Sequence, residues 1–262
     1  MKYLLTILIL FCLVPSIASA ALADNLVSYW KLDESSGNAT DSHSSNTLTN
    51  NNTATYSTGK INNAVYLASA SSQSLSITDN ASLSITGDLS ISGWFYFTSF
   101  SANGRKLVNK WNDTGNQRGF IFDNSDASGD TLRLVLSTNG VNFPLVTATG
   151  AALSVDTWYH LAVTFKASTG VVSFYKNGSL LFAPTISANS IFDNTADFYI
   201  GNGVNAAPTD PFNGRVDEVG IWSRELTSGE ITTLYNGGAG NQYPFTIATT
   251  IFYNFFAPIF FE

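Results

Sequence analysis

In FNGRVDEVGIWSRELTSGEITTLY, residues 212–235, a run with the two-residue period of a β-strand passes straight into a helix start. Arg215–Trp222 reads as a strand, and plain alternation puts Asp217 on the same side as Val219 and Ile221. Thr227 and Glu230 then stand at capping-box spacing, which predicts a short helix over Ser228–Tyr235 that Asn236-Gly237 stops. Ile231, Leu234 and Tyr235 give that helix an apolar side to pack on a sheet edge.

Working outward, other segments show the same alternation. In Trp158–Phe165, the residues Tyr159, Leu161, Val163 and Phe165 share one side, leaving His160 opposite with Trp158 and Thr164. Val171–Lys176 and Ser179–Phe182 flank Asn177-Gly178, and Asn-Gly between apolar runs is a strong hairpin signal because both turn residues must tolerate positive φ. Further strands are predicted at Leu26–Leu32, Ala64–Leu67, Leu89–Phe97, Lys106–Lys110, Gly119–Phe122, Thr131–Ser137 and Phe198–Gly201. The polar, Asn-rich stretch Ser35–Thr58 reads as a long surface loop with brief strands. This many short strands and one helix predict an all-β, two-sheet antiparallel sandwich.

Composition sets the setting. Residues 1–20 have the form of a secretory signal, with Lys2 its only charge, an apolar run over Leu4–Val14, and Ala18-Ser19-Ala20 as an A-x-A cleavage site. A second small-residue site, Ala21-Leu22-Ala23, allows a start at Asp24. Cys12 is the sole cysteine and leaves with the signal, so the exported chain is expected to hold together without disulfides. The formal charge of −7 becomes −8 once Lys2 is lost, and an acidic chain of pI about 4.7 lacks the phosphate attraction that nucleic-acid binding needs. Residues 24–243 are expected to form one domain. Residues 244–262 form an uncharged, Ile- and Phe-rich tail until Glu262, shorter than the roughly 20 apolar residues of a membrane span. It is expected to be a final strand, the cut end of a longer chain, or a weak membrane anchor, the sole route to membrane contact.

Five separated segments, covering Leu26 to Tyr243, resemble the laminin-G-like jelly roll of the concanavalin A-like lectin/glucanase superfamily. They are Tyr29–Gly37 with Asp41 beyond it, Leu89–Phe95, Trp158–Val163 with Phe174–Gly178, Tyr199–Gly201, and the Phe212–Tyr235 stretch. The resemblance implies a jelly-roll sandwich. It leaves function open, because the same sandwich carries lectins, glycan-binding modules, adhesion domains and some hydrolases.

Asp217, on an apolar side, would cost several kcal/mol if buried alone. Arg215 is one candidate partner, and a hard cation such as Ca²⁺ is another. The resemblance implies a structural calcium ion at the edge of the sandwich, with Asp217 and Asp41 beside it and Asp33 and Asn46 as further ligands. Asn124–Asp130 copies half of an EF-hand loop, but Val135 stands where the bidentate Glu belongs, so it reads as a hairpin loop. His160 is expected to be packed or hydrogen-bonded rather than catalytic. No Gly-x-Ser-x-Gly elbow, nucleophilic cysteine or His-Glu-x-x-His motif is present, and Asp217 and Glu218, being adjacent, are expected on opposite sides of their strand.

Sugar binding uses an aromatic platform with amides or carboxylates around it. Trp111, between Asn109 and the pair Asn112 and Asp113 in a loop position, is the leading candidate, against the reading of a packed tryptophan at a strand end. Tyr56, Phe143 and Tyr243 are candidates of the same kind. The expectation is a secreted, non-catalytic binding module with carbohydrate as ligand. The alternative is a structural or adhesion domain that binds protein partners at the cell surface, with a glycoside hydrolase behind both.

Overall fold

A computed structural model describes residues 22–202 and 211–246 of the chain. The signal at 1–20 and the tail beyond Thr246 lie outside the described residues. The strands are β1 (Leu26–Trp30), β2 (Thr49–Asn51), β3 (Thr55–Thr58), β4 (Asn63–Leu67), β5 (Ser74–Ile77), β6 (Leu89–Phe97), β7 (Arg105–Asn112), β8 (Gln117–Asn124), β9 (Leu132–Leu136), β10 (Leu145–Ala148), β11 (Trp158–Lys166), β12 (Val171–Lys176), β13 (Ser179–Phe182), β14 (Phe198–Ile200) and β15 (Gly214–Trp222), followed by helix α1 (Ser228–Tyr235). An eight-stranded sheet runs β13-β12-β11-β6-β15-β4-β3, with β1 also paired to β15, and a seven-stranded sheet runs β10-β9-β8-β7-β14-β5-β2. Every pairing is antiparallel, as the alternation predicted.

The core lies between the sheets. Ile91, Phe95, Phe97, Val163, Phe165 and Phe174 of the larger sheet share it with Phe120, Phe122, Leu132, Leu134 and Phe198 of the smaller one. Each buried side chain of this size contributes about 1.5–3 kcal/mol. Trp30 stacks on Phe198 with centroids 5.2 Å apart, tying the first strand of one sheet to the other sheet. The hairpin forms where Asn-Gly placed it, with Asn177 at φ 50° and Gly178 at φ 77° between β12 and β13.

Helix α1 has the predicted bounds and cap: Glu230 N–H donates to Thr227 Oγ1 at 3.3 Å, and Thr227 N–H to Glu230 Oε2 at 2.8 Å. Its packing takes in the expected sheet edge, where Thr232 Oγ1 donates to Gly178 O at 3.1 Å beside edge strand β13, and extends beyond it. Ile231 and Leu234 cover the outer face of the larger sheet, joining Tyr29, Ala162, Tyr175 and Trp222 in a second apolar cluster. That cluster reaches past residues 24–243 at both ends. Leu22 is fully buried and its carbonyl accepts Trp222 Nε1–H at 2.8 Å, while Phe245 packs edge-on against Tyr29 at 5.4 Å.

Strand β15 departs from plain alternation. Asp217 pairs with Trp94 and Gly220 with Ser92, so two residues, Glu218 and Val219, stand opposite Gly93 alone. Glu218 takes φ 52° in this β-bulge. The bulge shifts parity, so Val216, Val219 and Ile221 all face the core while Asp217 turns to the outer side with Trp94. The expectation that Asp217 shares a side with Val219 and Ile221 is thereby overturned, as is the expectation that Asp217 and Glu218 diverge.

Candidate functional site

On the outer face of the seven-stranded sheet, register lines up residues far apart in sequence. Leu145 of β10 opposes Val135 of β9, which opposes Ile121 of β8, which opposes Asn109 of β7. In the neighbouring row Arg133 opposes Asp123, and Asp123 opposes Lys106. Asp123 is fully buried and accepts a two-pronged Arg133 guanidinium, Nε at 2.9 Å and Nη2 at 2.6 Å, together with Lys106 Nζ at 2.6 Å. Both cations thus complete a buried carboxylate and are held in place by it.

Beside these rows lies a depression of about 260 Å³ lined by Lys106, Trp111, Asp113, Ile121, Arg133, Val135, Phe143 and Leu145. Trp111 belongs to β7 rather than a loop, and it is only 5% exposed, so it is the wall of the depression and not an open platform. Its Nε1–H donates to Asp113 Oδ1 at 3.0 Å, and the same oxygen accepts Arg118 Nε at 2.8 Å. Phe143 meets Trp111 edge-on at 5.5 Å, carries Arg118 over its ring at 5.3 Å, and is 48% exposed. Phe143 therefore supplies the accessible aromatic surface at the place Trp111 marked. Asn112 turns away from that role, its Oδ1 accepting Thr114 N–H at 2.8 Å. Alternation of Arg133 against Leu132 and Leu134 could have put Arg133 on this face, but no local pattern brings Phe143 and Leu145 to Trp111. That juxtaposition depends on three strand registers.

The other two aromatics singled out also line cavities. Tyr56 borders one of about 490 Å³ with Ser35, Gly37, Asn38 and Asn50, where its hydroxyl donates to Gly37 O at 3.1 Å. Tyr243 borders another of about 410 Å³ with Lys31, Ile61, Asn241 and Gln242. In the first, Asn50 is spent on the fold: its side chain bonds Gly37 O and Ala54 O and accepts Ala54 N–H.

The four residues expected around a cation separate into two places. Asp41 organises a turn, its carboxylate accepting N–H bonds from Tyr29, His43, Ser44 and Asn46 at 2.9–3.1 Å. Asn46 is likewise occupied, donating to Ser28 and Ser82 hydroxyls and accepting from Asn80. Asp33 accepts Asn63 N–H and Asn62 Nδ2–H across the Gly59–Asn63 turn, and Asp217 Oδ2 accepts Lys60 and Ile61 N–H at 2.8 and 2.9 Å. Arg215 does not pair with Asp217, since it donates to Thr58 O and lies over Tyr96.

The bulge makes Asp217 and Glu218 neighbours. Both are buried, Asp217 Oδ1 lacks a hydrogen-bond partner, and the Glu218 carboxylate has the Tyr29 hydroxyl beside it. Burial pushes the Asp217 carboxyl up to about 8, outweighing the Lys60 and Ile61 N–H bonds. Burial, then the charge of Asp217, pushes Glu218 up to about 9. Among the described residues no group of three or more His, Cys, Asp or Glu side chains forms a metal cluster. A cation here would thus take two carboxylates and complete its shell with carbonyl and amide oxygens.

Two further features of the sequence serve the fold. His160 Nε2 lies 2.8 Å from Ser92 Oγ, but the ring is 1% exposed beneath Trp94 and Tyr235, its Nδ1 has no partner, and burial lowers it to about 3. Asp126 of the EF-hand-like loop accepts Ser128, Gly129 and Asp130 N–H bonds and so shapes the β8–β9 turn.

Among solved structures, the chain is similar to the binding domain of Paraclostridial Mosquitocidal Protein 1, with TM-score 0.65 and 18% identity over 83% of this chain and 53% of that one. It is also similar to domain 4 of AbnA, a GH43 extracellular arabinanase from Geobacillus stearothermophilus in complex with arabinotriose, with TM-score 0.59 and 21% identity over 79% and 97%. A third likeness is botulinum neurotoxin type C, whose access to cells depends on interaction with two ganglioside molecules, at TM-score 0.61 and 15% identity over 83% and 52%. The chain thus spans about half the length of the toxin domains and nearly all of the arabinanase domain. No curated protein matches its sequence significantly. The family model for the concanavalin A-like lectin/glucanase superfamily matches residues 69–232, from β5 through most of α1, and the chain belongs to that superfamily.

Proposed function

We propose that this protein is an exported, non-catalytic carbohydrate-binding module whose sugar sits against Phe143 on the outer face of the seven-stranded sheet. The observation that carries the reading is an aromatic ring 48% exposed at the rim of a depression with fixed hydrogen-bonding groups around it. An arabinanase domain in complex with arabinotriose has the same fold, which supports sugar as the ligand class. The non-catalytic part rests on accessibility: the neighbouring carboxylates Asp217 and Glu218 are 0% and 3% exposed, out of a substrate's reach. A glycan-array screen of residues 22–246, repeated with Phe143→Ala, tests the reading. It stands if a sugar binds and the variant loses it, and it falls if the folded protein binds none.

A structural calcium ion at Asp217 and Glu218 belongs to the same reading. Two adjacent buried carboxylates, with Asp217 Oδ1 unpartnered, are what a hard cation would satisfy, and it would hold both groups ionised while fixing the bulge. The protein-binding alternative is favoured by a different place, the edge strand β13, where Leu180 and Phe182 are 53% and 50% exposed. It predicts that a partner's binding is lost on Leu180→Lys and unaffected by Phe143→Ala.

A further inference from the structure

The site on the seven-stranded sheet is charged in a layered way. Asp123 is wholly buried beneath it, whereas the side chains of Lys106 and Arg133, which neutralise it, are 11% and 24% exposed and line the depression. Arg118 adds a third cation at the rim against Asp113. With Lys106, Arg118 and Arg133 set against Asp113 and Asp123, the site carries a net charge of +1 in a chain whose net charge is −7. Asp123 lies in the floor, while at the rim Asp113 is 51% exposed beside Arg118 at 16%. A ligand seated against Phe143 borders a depression lined by Lys106, Arg133 and Asp113, with Arg118 over the ring.

We infer that the sugar taken here is a carboxylated one, whose acid group lies toward Lys106 and Arg133 while its ring lies on Phe143. This rests on the carbohydrate reading above and narrows it to a chemical class. A uronic acid and a sialic acid share that chemistry, a carboxylate fixed to a pyranose ring. Arg133 gives Nε and Nη2 to Asp123 and so meets such an acid through its charge, as Lys106 does, and the buried Asp123 holds both cations in position before the ligand arrives. Leu145, 49% exposed on edge strand β10, borders the same depression and offers a position to change the local charge without touching the buried triad.

The test titrates residues 22–246 with oligogalacturonate and its methyl ester, and with 3′-sialyllactose and lactose, at low and high salt. It compares Leu145→Gln with Leu145→Glu and Leu145→Lys. At least one acid should bind about tenfold or more tighter than its neutral counterpart, the worth of one charge-assisted hydrogen bond. The preference should shrink with salt. Against the Gln variant, Glu should weaken the acid about tenfold and Lys should strengthen it, while the neutral sugar, which Leu145 also borders, should respond less and without that sign reversal. Equal binding of acid and neutral forms, or binding of neutral glycans alone, would overturn the inference and leave the carbohydrate reading standing. A folded protein that binds none of these and no glycan on the array would overturn both.

Discussion

Replacing Asp217 by Asn tests the bulge, the buried acid pair and the cation together. The amide keeps the shape, leaving an oxygen to accept the Lys60 and Ile61 N–H groups and putting NH₂ where the unpartnered Oδ1 lies. Because burial raises Asp217 to about 8, the folded chain without metal holds a proton there that the unfolded chain gives up near pH 4. The sign follows: the contribution is present at acid pH and is lost as pH climbs from about 4 through about 8. At about 1.4 kcal/mol per pH unit, Asp217 alone removes roughly 5–6 kcal/mol over that window. Glu218, raised to about 9, acts in the same direction. Calcium would replace the missing protons, so its stabilisation should grow between pH 5 and 8. Denaturant unfolding across pH, in chelator and in millimolar calcium, reads both effects. The wild type should lose stability steeply in chelator and regain it with calcium, while Asp217→Asn should show a shallower pH slope and little calcium response. A wild type whose stability is flat from pH 5 to 8.5 in chelator, indistinguishable from the variant, would refute the reasoning.

Three further outcomes are expected. Thr227→Ala removes the side-chain acceptor of the capping box and should cost about 1 kcal/mol in denaturant unfolding, with Thr227→Ser restoring most of it. A chain beginning at Asp24 lacks buried Leu22 and its carbonyl bond from Trp222, and should be less stable by about 2–4 kcal/mol than one beginning at Ala21; equal melting would show that this segment is not packed. The His160 ring should remain neutral in nitrogen NMR spectra down to pH 5, since burial lowers it to about 3, and a midpoint near 6.5 would place it in solvent.

What the sequence made legible was whatever depends on neighbours along the chain. The Thr227/Glu230 cap, the Asn177-Gly178 turn and the alternation of Leu89–Phe97 each carry their own geometry, and each formed where expected. Strands β5 and β10 carry no such local signal, because Ser74–Ile77 is short and Ser-rich and Leu145–Ala148 is an edge strand whose apolar side is half in water. Asp217 was misplaced for a different reason: one extra residue at Glu218 reverses parity, and Glu is no signal for positive φ. The depression on the seven-stranded sheet was half legible. Trp111 marks one of its walls, but Phe143, Leu145 and Arg133 reach it through the β7–β8, β8–β9 and β9–β10 registers, which no single segment encodes.

The central claim is that a sugar sits on Phe143 at the outer face of the seven-stranded sheet. Amide and aromatic chemical shifts, followed while a sugar selected on the array is titrated into residues 22–246, locate it directly. The account predicts that the largest changes fall on Trp111, Arg133, Val135, Phe143 and Leu145. Changes confined to the Tyr56 cavity or the Tyr243 cavity, with this face silent, would contradict it.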